Sequence, residues 1–314
     1  MEREYLYDNI KAFLIFCVVL GHMLEGILDG SIKVIYILIY TFHMPMFVFI
    51  SGIFAKFKTE RIKKLFALYL AFQGINCLIG IAGGGNIQFT TPIWSLWYLL
   101  ALSIWTMLIP FIDVKEGNRK FIVIVAAFAV SLIAGYDTSI GYYMSISRII
   151  VFFPYFVLGF YYARSKEMQK KVENLKSEYM VLFMLAVSSI ICFLSEEINP
   201  KWLYGSYTYD ELRYNFLYRI FFYICGIVFC VSFLKLFPKR KTIFSYIGQH
   251  TMQIFLLHSF IIEILRKKER SWQYLSENKV ISIAVLISAI IIYVLSVDVN
   301  TIKCLYKNRV KGKK

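Results

Sequence analysis

The chain has 314 residues, 59% of them hydrophobic, 18% aromatic and 18% charged, with a mean hydropathy of +0.61. Ordinary soluble domains carry about 25% charged residues, so a water-soluble fold is excluded for want of polar surface to cover a core of this size. The net charge of +15 would suggest nucleic acid in a soluble protein. Here the basic residues sit mostly in short loops between apolar stretches, where they read as topology signals and contacts to anionic membrane lipids, with no nucleic-acid partner.

A membrane span needs about 20 apolar residues. Taken in chain order, the apolar stretches predict spans at 10–28, 33–55, 65–83, 93–112, 120–135, 146–163, 179–195, 215–237, 243–264 and 280–298. The fifth and seventh are short enough to be tilted or partly re-entrant. The first is too long for the apolar region of a signal peptide and lacks a small-residue cleavage site, so it reads as a span. The expected fold is an all-α, polytopic transmembrane helical bundle of about ten spans. One transmembrane domain covers 1–306, and a basic cytoplasmic tail covers 307–314. The six cysteines show no CxxC spacing, so neither a disulfide framework nor a metal site is expected.

Loop charges set the orientation. Lys56, Lys58, Arg61, Lys63 and Lys64 crowd the second loop. Arg119 and Lys120 mark the fourth, Arg164 to Lys176 the sixth, and Lys239, Arg240 and Lys241 the eighth. The third loop has no charge between Gly83 and Pro92. Both termini and the even-numbered loops are therefore expected in the cytoplasm. Arg266, Lys267, Lys268 and Arg270, after the ninth span, run against this pattern.

Ionisable groups inside spans are costly and read first as functional. Of the four histidines, His22 falls in span one, His43 in span two, and His250 and His258 in span nine. At a rise of about 1.5 Å per residue, His22 and His258 lie roughly 9 Å from the outer ends of their spans, and His43 nearer the midplane. Each reads equally as a neutral imidazole bonded between helices. Glu25, three residues after His22, shares its helical face and is either its orienting carboxylate or an interfacial acid. Lys11 lies about 16 Å, or three turns, below His22 on the same face. Arg61 and Lys64, three residues apart, suit either a phosphate clamp or plain topology charge. Arg148 opens span six on the outer side, where it either serves a site or snorkels to headgroups.

These segments resemble acyltransferase family 3, bacterial membrane O-acyltransferases, and in particular its fucose-4-O-acetylase-like group. The likeness lies in Tyr7-Asp8-Asn9-Ile10-Lys11 followed by Val19-Leu20-Gly21-His22; in Phe42-His43-Met44-Pro45-Met46-Phe47 running to Ile50-Ser51-Gly52; in Arg61-Ile62-Lys63-Lys64; in Leu96-Trp97-Tyr98-Leu99; in Arg148 with Phe153-Pro154-Tyr155-Phe156 and Gly159; and in Gly248 through Leu256-Leu257-His258. Lysine stands at Lys11 and Lys64 where the family more often has arginine, which keeps charge but weakens bidentate phosphate binding.

The resemblance implies an O-acetyltransferase of the cell membrane. It would move an acetyl or larger acyl group from cytosolic acetyl-CoA, a co-substrate, to a hydroxyl of a cell-surface or lipid-linked polysaccharide. It implies that His22 is catalytic with Glu25 beside it, and that Lys11, Arg61 and Lys64 bind the donor. His43, Arg148, His258 and Trp97 would line the acceptor side. A sugar hydroxyl needs a base to attack a thioester, and the same imidazole could instead take the acyl group as a nucleophile. The alternative is a lipid-linked oligosaccharide flippase or transporter, which should show repeats and matching broken spans. A glycan polymerase would need catalytic Arg and His in a large outer loop.

Overall fold

The computed structural model describes residues 4–25, 28, 30–82, 89–92 and 95–266. Among them there is no strand. The helices are α1 (Tyr5–Leu24), α2 (Gly30–Ile53), α3 (Thr59–Ala82), α4 (Trp97–Ile112), α5 (Gly117–Ile133), α6 (Ile146–Arg164), α7 (Lys166–Asn174), α8 (Ser177–Phe193), α9 (Tyr209–Leu212), α10 (Phe216–Leu236), α11 (Ile243–Gln249) and α12 (Thr251–Arg266). Nine of the ten expected spans meet helices, and the tenth, 280–298, lies outside the described residues, as does the tail.

Among the described residues, five helical segments are long and apolar enough to cross a membrane: Tyr5–Leu24, Gly30–Ile53, Gly117–Tyr136, Tyr143–Arg164 and Phe216–Leu236. A sixth is added if Lys166–Asn174 and Ser177–Phe193, bent by 85°, count as one. The side chains agree with a lipid surround. Phe193 is 87% exposed and Phe111 77%, and Phe121 and Ile122 of α5 and Leu182, Phe183 and Leu185 of α8 are exposed as well. Large apolar side chains exposed in that number are anomalous in water and ordinary against hydrocarbon.

Two expected elements differ. The ninth span is broken at His250 into α11 and α12. Thr242 caps α11 in a reciprocal box with Ser245, and His250 leaves helical geometry at φ −110°, ψ 15°. The sixth loop, expected as a charged connection, is the helix α7. Ser165 caps it, its Oγ accepting the Met168 N–H at 3.2 Å. Glu167 and Lys171 pair at 2.6 Å across one turn, which suits a short polar helix.

The chain divides into two compact units, one of residues 1–39 and 237–314 and the other of 40–236. In the first, α1 packs on α11 and α12. Asn9 fixes that contact through all its hydrogen-bonding groups. Its Nδ2 donates to the carbonyls of Pro238 at 2.8 Å and Arg240 at 3.0 Å. Its Oδ1 accepts the hydroxyls of Thr242 and Ser245, each at 2.6 Å. A Cβ on Gly248 would run into the backbone of Asp8, so α11 approaches α1 as closely as only glycine permits.

In the second unit α4 packs on α3 and α6, α5 on α6, and α8 on α10. The C-terminal half of α2 crosses α6 at two facing glycines. A Cβ on Gly52 would meet the Phe156 carbonyl, and one on Gly159 the Phe49 carbonyl. Small residues at such a crossing let backbones touch, which is how helices gain packing energy where lipid removes the hydrophobic drive. Trp105 is fully buried and donates to the Ile149 carbonyl at 3.0 Å.

Candidate active-site residues

In the first unit, α1 carries Lys11 and His22, with Glu25 at its C-cap. Asp8 lies in its first turn, where a carboxylate complements the helix dipole. It is buried and pairs with Lys11, Asp8 Oδ1 to Lys11 Nζ being 2.9 Å. Lys11 is therefore held by a carboxylate that the loop-charge reading did not assign to it. Continuous helix between Lys11 and His22 puts the two on one face, three turns apart. Both are only partly buried.

His22 stands in the last turn of α1 and Glu25 at its C-cap. His22 Nδ1 and Glu25 Oε2 are 3.9 Å apart, an ion-pair separation too long for a hydrogen bond. On the other side the His22 ring stacks on His258 of α12, centroids 5.4 Å apart and planes inclined by 27°. His258 is fully buried, and its Nδ1 lies 2.9 Å from the Ile254 carbonyl. A carbonyl only accepts, so Nδ1 carries the proton and Nε2 presents a lone pair. That Nε2 is buried with no hydrogen-bond partner among the described residues. The fold thus joins His22, Glu25 and His258 in one place. His250 bonds locally instead, Nδ1 to the Tyr246 carbonyl at 2.8 Å.

In the second unit, His43 is buried on α2, its ring edge-on to Tyr40 at 4.7 Å. Two residues on, Pro45 has no N–H to offer the Thr41 carbonyl. Ser51 Oγ and the Tyr98 hydroxyl are 2.6 Å apart, which ties the α2 segment Ile50-Ser51-Gly52 to the start of α4. Trp97, beside Tyr98, lies against Phe152 at 5.3 Å.

Arg148, in the first turn of α6, is buried, not snorkelling. Its guanidinium sits 5.7 Å from the Trp97 ring centre and 5.2 Å from that of Tyr142, within cation–π range. Burial pushes the Tyr142 phenol up to about 12, against a smaller opposing effect of Arg148, so the ring faces Arg148 as a neutral group. Arg148 and Trp97, expected on the acceptor side, are neighbours.

Arg61 and Lys64 lie one turn apart on α3, Arg61 half-buried and Lys64 exposed. Arg61 Nη1 donates to the Phe54 carbonyl at 3.0 Å. The next carbonyl, that of Ala55, accepts from Arg164 Nη2 at 2.8 Å. Two guanidinium groups therefore bond the carbonyls that follow the C-terminus of α2, where the helix dipole favours positive charge. In the sequence Arg164 is one of the loop charges, and its bond to Ala55 joins residues 109 positions apart.

The profile of the family described as Acyltransferase domain matches residues 4–297. The chain is 25% identical over 246 residues to Nodulation protein NolL of Sinorhizobium fredii, covering 67% of this chain and 61% of that protein. It is 25% identical over 241 residues to Nodulation protein NolL of Mesorhizobium japonicum, covering 67% and 60% respectively. The matched region thus spans about three fifths of those relatives' length. No solved structure matches.

Proposed function

This chain belongs to acyltransferase family 3, and from that premise we propose that it is a membrane O-acyltransferase moving an acetyl group from cytosolic acetyl-CoA to a hydroxyl of a cell-surface or lipid-linked polysaccharide. The observation that carries the reading is the His22–His258 stack, two imidazoles held together with the Nε2 lone pair of His258 unpartnered among the described residues. Such a nitrogen in a buried setting is costly unless a substrate hydroxyl or thiol fills it.

In this reading His22 accepts the proton of the acceptor hydroxyl as its oxygen attacks the thioester carbon. The carbon–sulfur bond breaks, and the coenzyme A thiolate leaves with the proton that the imidazolium returns. A path through an N-acyl imidazole would use the same ring as nucleophile, with the acceptor hydroxyl attacking in a second step. Glu25 orients His22. Lys11, Arg61 and Lys64 hold the phosphates of the donor. His43, Arg148, His258 and Trp97 serve the acceptor.

The proposed architecture has about ten spans and lies in the cell membrane, with both termini and the basic loops cytoplasmic. The charge distribution supports it: the lysines and arginines at 56–64, 164–176 and 239–241 recur on alternate loops. Mass spectrometry of surface glycan from cells with and without the chain tests the class. The glycan should carry an added acetyl group only when the chain is present. Identical glycan masses would remove the proposal.

A further inference from the structure

Arg219 lies in the first turn of α10, on no motif of the family likeness, and is only 5% exposed. Its Nη1 donates to the Ser131 carbonyl at 3.0 Å, and its Nη2 to the Tyr214 hydroxyl at 2.6 Å and the Tyr207 carbonyl at 3.4 Å. The faces of Tyr209 and Tyr214 cover it at 4.6 and 5.8 Å. These contacts make Arg219 a tie between α10, the end of α5 and the segment before α10. They do not complete its chemistry. The Nε–H is buried with no acceptor, and no carboxylate pairs with the guanidinium among the described residues. A buried cation without an anion is costly by several kcal/mol, roughly, even where neutral acceptors surround it.

Beside Arg219 is a cavity of about 40 Å³ lined also by Tyr40, Thr41, Trp202, Leu203 and Tyr223. A water needs about 10–15 Å³ by this kind of measure, so the space suits two or three oxygen atoms and not a whole ring. Trp202 is held in place, stacked on Tyr214 with centroids 5.2 Å apart and planes inclined by 15°. An aromatic wall of this kind receives the apolar face of a sugar, while an Arg donor receives an anionic oxygen.

We infer that the cavity beside Arg219 binds an anionic oxygen group, carboxylate or phosphate, borne on a carbohydrate, the Nε–H donating to it and Trp202 flanking the ring that carries it. The carbohydrate half rests on the proposed acceptor class; the anion half rests on Arg219 alone. The site would make the enzyme selective for acidic acceptors.

Binding is measured by isothermal titration calorimetry on the purified full chain with no acyl donor, so the result does not depend on transfer. The probes are methyl glucuronide, glucose 6-phosphate, methyl glucoside, acetate and inorganic phosphate. At least one acidic sugar should bind at least tenfold more tightly than methyl glucoside, and the pair shows whether carboxylate or phosphate is taken. Arg219→Gln should weaken that binding tenfold or more. Because Arg219 also ties the fold, Leu203→Phe provides a second test: it fills the cavity and leaves every bond of Arg219 in place, and should weaken binding equally. Equal binding of neutral and acidic sugars, no binding of any acidic sugar, or full binding in Leu203→Phe would overturn the inference. Acetate or phosphate binding as tightly as its sugar would overturn the carbohydrate half. A normal binding pattern in a chain that transfers no acetyl group would sink the proposed function and leave this site standing.

Discussion

His22 on α1 and His258 on α12 face each other ring to ring, 5.4 Å between centroids. Residues 236 positions apart in sequence meet because Asn9 and Gly248 lock α11 against the start of α1, and α12 then runs on along the same helix. Among the described residues, a carboxylate stands at ion-pair distance from His22 alone of the pair, Glu25 at 3.9 Å. His258 spends its Nδ1–H on its own helix. The two rings are therefore unequal, and the inequality predicts unequal roles.

Replacing His258 by phenylalanine keeps a flat ring against His22 and removes the Nε2 lone pair. The protein should express and purify as wild type. Its turnover should fall about 10- to 100-fold, below the 10²–10⁴-fold range of a direct proton-transfer residue, with the larger change in the acceptor KM. Unchanged turnover and acceptor KM would make His258 a packing residue.

Arg61 and Lys64 are proposed to bind the donor. The double replacement Arg61→Gln, Lys64→Gln should raise the acetyl-CoA KM about tenfold, one lost charge-assisted contact being worth roughly 1.5–3 kcal/mol before screening. The acceptor KM should stay within about twofold, and for wild type the donor KM should climb with salt as screening weakens phosphate contacts. A donor KM that ignores both the replacement and the salt would return these side chains to topology signals.

The crossing of α2 and α6 gives a prediction about stability alone. Gly159→Ala sets a Cβ against the Phe49 carbonyl, a backbone atom that cannot rotate away. Overpacking of this kind costs about 1–3 kcal/mol or more. Gly74→Ala, inside α3 with nothing within 4 Å of the added methyl, should instead gain about 0.5–1 kcal/mol. Thermal unfolding in detergent reads both. Equal midpoints for the two variants would contradict the close crossing.

Much of the helical layout was legible because apolar length is written locally: nine expected spans meet helices within a few residues. The break at His250 escaped because apolar residues resume beyond it, and its signal is short, the polar run Gln249-His250-Thr251. Helix α7 escaped because its lysines read as topology charge before its Ser165 cap was weighed. For the candidate site, residues whose partners lie three positions away were readable, as with His22 and Glu25. Residues whose partners lie far off were not. Asn9 sits inside a quoted motif yet bonds residues more than 220 positions distant. Arg219 lies on no motif, and its role shows only in its bonds to Ser131 and Tyr214.

His22 is the residue on which the proposed chemistry depends. Its most direct test is transfer of labelled acetyl from acetyl-CoA to glycan in proteoliposomes, comparing wild type with His22→Gln, which keeps polarity and removes basicity. Both proteins should reconstitute to the same level and show the same thermal midpoint. Wild type should label the glycan, and His22→Gln should lose about 10²–10⁴-fold of the rate, the contribution of a positioned acid–base group. Transfer by His22→Gln at the wild-type rate would contradict the claim that His22 carries the chemistry.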